Sequence, residues 1–278
     1  MPLASSNGGM AAETPLPISS SNPPQFPPEQ LELFRDTLKL LSDAKIPYAV
    51  SGAFALQHHT GIWRDTKDLD LFMTTDDATR ALEALREHGF EVDIPDPVWL
   101  AKAHRDDYFV DLICGMSNGA LSVDRSWIER AHPAIVLDIP TRVLAAEELL
   151  ASKLFVLARE RFDGADIVHI LYATPTRLDW QRIFTLVGEH RELLFSTLVL
   201  FHYVYPDSAN NIPSGVWNTL LDDFTQSLAH RDSKTKFRGS LLDEKMFAID
   251  VKEWGLPNLV DGFRAKKTSL IRNDGKAA

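Results

Sequence analysis

The chain has 278 residues, 45% hydrophobic and 24% charged. That is ordinary globular composition, with room for one large or two small domains. A formal net charge of −10 disfavours non-specific binding to DNA or RNA, although a local basic groove is compatible with it. The single cysteine, Cys114, excludes an intrachain disulfide and fits a reducing, cytoplasmic setting, where a buried inert thiol is the expected state. No apolar run is long enough to span a bilayer, and the N-terminus lacks the basic-then-apolar pattern of a secretory signal.

Residues 1–28 are rich in Ser, Asn, Gly and Pro and offer little to bury, so they are expected to be disordered. Pro27 and Pro28 then lead into Leu31, Leu33, Phe34, Leu38, Leu40 and Leu41, a helical spacing with Pro near its start. Tyr48–Val50 reads as a first strand, Ala53–His59 as a short helix ended by Gly61, and Asp68–Met73 as a second strand. Thr75, Asp76 and Asp77 supply N-cap chemistry for a helix to Glu87. Phe90–Val92, Tyr108–Ile113 and Ile135–Ile139 read as strands, with antiparallel neighbours expected from the short connections.

After Thr141 the pattern becomes helical, over Glu147–Arg161, Asp163–Tyr172, Gln181–Val187, Arg191–Tyr205 and Val216–Ala229. The apolar girth of Arg191–Tyr205 suits the core of a helical module. Phe247–Ile249 is ambiguous. The end of the chain from Arg264 is polar and basic and is expected to fray. The expected class is α+β, a mixed-sheet module over 29–142 followed by an all-helical module over 143–260, with a basic tail over 261–278.

The most informative residues are acidic. Asp68 and Asp70 lie two apart in a strand, so both point to one face. They repel each other unless a cation sits between them or water solvates both. Asp111 stands inside another strand among Val110, Leu112 and Ile113, where a solvated acid fits poorly. Upstream, Ser51-Gly52 forms a strand-to-helix turn. Such a turn can present backbone N–H groups to a phosphate, or it can be an ordinary turn with Ser as N-cap. Arg64 suits bracing an acidic cluster or contacting a triphosphate, Thr66 suits a turn, and Lys67 suits a solvated surface. The nine histidines show no zinc-type spacing, and the adjacent pair His58-His59 is expected to diverge on its helix.

The ordered set Ser51-Gly52, Arg64-x-Thr66, Asp68-x-Asp70 and the later strand acid Asp111 resembles the nucleotidyltransferase superfamily with its polymerase-β-like fold. The wording around the motifs is most similar to minimal nucleotidyltransferases and AbiE-type toxin enzymes, over roughly residues 40 to 173. The resemblance implies that Asp68, Asp70 and Asp111 are catalytic and hold Mg²⁺, with Mn²⁺ as the alternative ion. It implies a nucleotide-binding set of Ser51, Gly52, Arg64, Lys153 and Asp166, with Asp163 the rival to Asp166. Lys153 also stands out unaided, since its i±3 and i±4 neighbours place it beside an apolar stripe, where the ordinary explanation is a snorkelling amine.

The expected activity is transfer of NMP from NTP to an acceptor hydroxyl with release of pyrophosphate. The alternative is a module of the same fold that binds a nucleotide or partner without turnover. The acceptor is open between a small molecule, a protein hydroxyl and an RNA end. No membrane partner is expected, and an antitoxin partner is not readable from one chain.

Overall fold

The computed structural model describes residues 25–270 except 175, 230–236 and 268. The expected disorder of residues 1–24 and the fraying of 271–278 lie outside the described residues. Helix α1 (Pro28–Asp43) starts with Pro at its first position. It buries Leu33, Phe34, Leu38 and Leu41 completely, each worth about 1.5–3 kcal/mol of transfer free energy. Phe26, just before it, packs on Phe34, Phe54 and Trp63 with ring centroids 5.5 to 5.9 Å away. Strand β1 (Ala49–Val50) runs into α2 (Gly52–Thr60), which Gly61 ends in the left-handed conformation. Strand β2 (Asp68–Phe72) leads to α3 (Thr75–Glu87), whose N-cap is Thr74 rather than the Thr75–Asp77 run; its side chain accepts from Asp77 N–H.

Strands β3 (Glu91–Asp96), β4 (Leu100–Arg105) and β5 (Tyr108–Ile113) follow, then a short helix α4 (Arg125–Glu129) and the hairpin β6 (His132–Val136) and β7 (Ile139–Val143). All seven strands join one mixed sheet in the order β3-β4-β5-β2-β1-β7-β6. Not all neighbours are antiparallel. The pairs β2–β5 and β1–β7 are parallel, and the other four antiparallel. The parallel β2–β5 pairing matters most, because it sets Asp70 opposite Asp111.

The structure departs from the sequence reading at four places. Strand β4 was unforeseen, and so was α4. The single strand Ile135–Ile139 is a two-residue turn flanked by two strands, since Leu137 and Asp138 both take positive φ (51° and 67°). The helix expected over Glu147–Arg161 stops early: α5 is Ala146–Lys153. Beyond it the chain reverses, with Asp163 N–H donating to Val156 O at 3.0 Å and a bridge between Leu157 and Phe162.

Helices α6 (Gly164–Ala173), α7 (Trp180–Val187), α8 (Arg191–Val204) and α9 (Ser214–Ala229) complete a helical part. Helix α8 buries Leu194, Leu198 and Phe201 but leaves Val199, Tyr203 and Val204 exposed, so only one of its faces is core. Helix α10 (Ala248–Lys252) includes Ile249 of the ambiguous segment, and α11 (Leu259–Arg264) follows. This last stretch does not fray as far as it is described. Arg264 donates to both carboxylate oxygens of Asp96 at 2.7 and 2.8 Å, and to Ser117 O at 2.7 Å. Among the described residues, no helix is long and apolar enough to cross a membrane.

Candidate active site

The site begins where β1 ends. Ser51 N–H donates to Asp70 O at 2.8 Å, tying the turn to β2. Gly52 follows with φ +57°, and a Cβ there would lie 2.0 Å from Asp70 Oδ2. Glycine is therefore required twice, for the backbone angle and for the close approach of the carboxylate. Ser51 occupies the N-cap position of α2 but makes no side-chain capping bond. The first N–H groups of α2 thus keep their capacity to donate.

On β2, Leu69 and Leu71 are completely buried on one face, so Asp68 and Asp70 project together from the other. Thr66 Oγ1 donates to Asp68 Oδ1 at 2.6 Å and fixes that carboxylate. Asp111 stands beside Asp70 on β5. One oxygen from each of the three lies within 4.8 Å of the others. Burial above all, then the charges of Asp68 and Asp111, pushes the Asp70 carboxyl up to about 7, against the pull of Arg161 and Lys153. Burial also raises Asp111, while Lys102 pulls it down. Three crowded carboxylate oxygens, with Asp70 and Asp111 raised by burial, suit a hard divalent cation rather than a thiophilic one.

Lys102 was not anticipated. It faces Asp111 across the β4–β5 register, donates to Asp111 Oδ1 at 2.5 Å, and lies 3.7 Å from the centre of the Phe109 ring. Opposite the carboxylates runs a second charged row. Lys153, at the end of α5, is buried and pairs with Asp163 at 2.7 Å and Asp166 at 2.8 Å. Its amine therefore does not snorkel into water, and both rival aspartates engage it. Arg161 pairs with Asp163 at 3.2 Å, and Arg64 with Asp166 at 2.8 Å. The row holds three cations and two carboxylates. Lys153 and Arg161 hold Asp163 below the usual carboxylate range, overriding its burial, which is the largest single influence and acts the other way.

A cavity of about 900 Å³ separates the two rows. Its lining includes Ser51, Gly52, Asp68, Asp70, Asp111, Arg64, Lys153 and Asp166, so the expected catalytic and nucleotide-binding residues border one space, and Arg161 joins them. Trp99, Phe72 and Phe155 give it apolar wall, and residues 240–246 of the C-terminal segment close one side. Ala101 and Ala103 flank Lys102 too weakly to announce a strand, and nothing in the sequence signals the loop reversal that brings Arg161 back.

A mixed sheet with a glycine turn, an Asp-x-Asp strand and a third Asp on the neighbouring strand, backed by helices, defines a nucleotidyltransferase fold. The chain belongs to a family of uncharacterised nucleotidyltransferases, whose sequence profile matches residues 30–204. No curated protein matches it. Among solved structures it is similar to the antibiotic-resistance factor ANT(2'')-Ia, at 16% identity, covering 63% of this chain and 97% of that one with a TM-score of 0.44. It is also similar to an antigenic nucleotidyltransferase-like protein from Paracoccidioides brasiliensis, at 18% identity, 69% and 98% coverage and a TM-score of 0.45. A third similar structure is the lincosamide antibiotic adenylyltransferase LnuA, at 17% identity, 50% and 94% coverage and a TM-score of 0.37.

Proposed function

We propose that the chain is a metal-dependent nucleotidyltransferase that moves NMP from an NTP to an acceptor hydroxyl. The observation that carries this reading is the convergence of Asp68, Asp70 and Asp111 against the Gly52 turn. A divalent cation held by these carboxylates would neutralise phosphate charge and ease attack at the α-phosphorus. The rest falls to the chain itself. Ser51 and the uncapped start of α2 receive phosphate oxygens. Asp111 takes the proton of the acceptor hydroxyl as its oxygen bonds to the α-phosphorus. The bond from that phosphorus to the bridging oxygen breaks, and pyrophosphate leaves with the electron pair. Arg64 and Arg161, both partly exposed at the cavity, meet the triphosphate. Lys153, held by Asp163 and Asp166, adds positive potential behind them.

In this reading residues 29–142 form the α/β catalytic module and 143–260 the helical module, with 1–28 and 261–278 outside both. The NTP lies between the two rows of charge. The test is pyrophosphate release from each common NTP with Mg²⁺ and a pool of small-molecule, protein and RNA hydroxyl acceptors. Release that needs both Mg²⁺ and Asp70 is expected. Mg²⁺-dependent NTP binding with no release across the pool would instead assign a binding module without turnover.

A further inference from the structure

Neighbouring histidines on a helix usually point apart, and the sequence spacing gave no reason to expect a ligand set among them. The structure corrects this, because a third ring closes the group. His58 and His59 occupy the last turn of α2, and His132 opens β6 at the edge of the sheet. Their ring centroids lie 5.0 Å (His58–His59), 6.2 Å (His58–His132) and 5.6 Å (His59–His132) apart. One nitrogen from each lies within 4.8 Å of the other two.

The inner ring is already oriented. His59 Nε2 lies 2.8 Å from Leu144 O. A carbonyl only accepts, so Nε2 carries the proton and Nδ1 keeps its lone pair. A metal-bound imidazole is commonly held in this way, one nitrogen donating to a backbone carbonyl and the other facing the ion. His58 and His132 are exposed. Zinc–nitrogen bonds of about 2.0–2.1 Å need tetrahedral nitrogens roughly 3.3 Å apart, a closure within reach of small side-chain rotations. The C-terminal end of α2 contributes partial negative charge. Arg177 is a cation that acts on His58 and His59, and its guanidinium donates to Ala173 O; it weakens the site without occupying it.

We propose that His58, His59 and His132 form a transition-metal site that takes Zn²⁺ through three imidazoles, with water in the fourth position. Nitrogen donors select such an ion over Mg²⁺, so this site and the carboxylate site are chemically distinct. Gly52, against Asp70, and the pair His58-His59 lie at opposite ends of α2, about 10 Å apart along its axis at 1.5 Å per residue. Occupancy would clamp the end of α2 to the sheet edge at β6. Through His59 and Leu144 it would also steady the joint between β7 and α5, the helix that ends in Lys153.

The test uses the untagged full chain, stripped with a chelator and returned to excess Mg²⁺. Zn²⁺ is titrated by calorimetry and Co²⁺ by visible absorption. One equivalent is expected, with the absorption of four-coordinate Co²⁺. His58→Ala and His132→Ala should each weaken binding at least about tenfold, and Asp70→Asn should leave it unchanged. A second measurement avoids substitution altogether: Zn²⁺ should protect His58 and His132 of the unaltered protein from carbethoxylation. The proposal is overturned by any of three results: no binding in excess Mg²⁺, binding that survives both histidine variants, or histidines that react equally with and without Zn²⁺.

Discussion

At Gly52 one missing methyl group decides whether a carboxylate can enter the site. Any side chain there meets Asp70 Oδ2 at 2.0 Å and also carries φ +57°. Gly89, with φ +82° and nothing within 4 Å of a Cβ, carries the backbone cost alone. Gly89→Ala should therefore cost about 1 kcal/mol, and Gly52→Ala about 2 kcal/mol or more. Denaturant midpoints of the two variants measure the difference, and equal losses would remove the close contact from the account. Asp70→Asn tests the charge. With its carboxyl raised to about 7 in the folded protein from an ordinary 3.8, Asp70 favours the unfolded chain progressively as pH rises between those values. In chelator-treated protein, Asp70→Asn should then raise the melting temperature at pH 8 and do so much less at pH 4.5, while abolishing transfer. A gain that does not grow with pH would mean that the Asp70 carboxyl is not raised in solution.

Among the elements, β4 shows what governs legibility. Strands β2 and β5 were readable because Leu69, Leu71, Val110, Leu112 and Ile113 are large apolar residues in strand spacing. In β4 the buried positions 101 and 103 are alanines, which favour strands weakly, and Lys102 between them and His104 after them look like surface. The hairpin of β6 and β7 was fused into one strand because its turn is Leu137-Asp138, where Asn-Gly or Asp-Gly would have announced it. The end of α5 was hidden because Leu154, Phe155, Val156 and Leu157 continue an apolar run that no breaker interrupts. The acids were legible because each carries its own local signal, Asp68 and Asp70 as a strand-spaced pair and Asp111 as an acid inside an apolar strand. Lys102, Arg161 and His132 were not, because their partners come from register, chain reversal and a distant strand. Lys102→Met probes β4 directly. Loss of the amine leaves half-buried Asp111 unpaired and should cost about 1–3 kcal/mol without metal. Saturating Mg²⁺ should restore most of it, and a loss insensitive to Mg²⁺ would reduce Lys102 to a packing role for β4.

For the whole molecule, the C-terminal segment matters more than its polar sequence suggests. Asn118 Nδ2 donates to Leu241 O at 2.8 Å, Arg264 grips Asp96, and Leu270 N–H donates to Pro97 O at 2.7 Å. The chain thus returns to the β3–β4 edge and closes the cavity with residues 240–246. Arg264→Ala should cost about 1–2 kcal/mol, since Nη2 donates to both Asp96 oxygens and the pair is about three-quarters shielded, and it should weaken NTP binding by loosening that wall. Titration with NTP and Mg²⁺ reads the second effect; unchanged affinity would detach the segment from the site. The single thiol offers a different vantage. Cys114 is buried directly after β5, three residues beyond Asp111, and its thiol is pushed up to about 12. An alkylating reagent can consume it only when the end of β5 opens. Its modification rate is therefore a stopwatch for that strand alone, and anything that clasps the carboxylates should slow the clock without a chromophore having been attached.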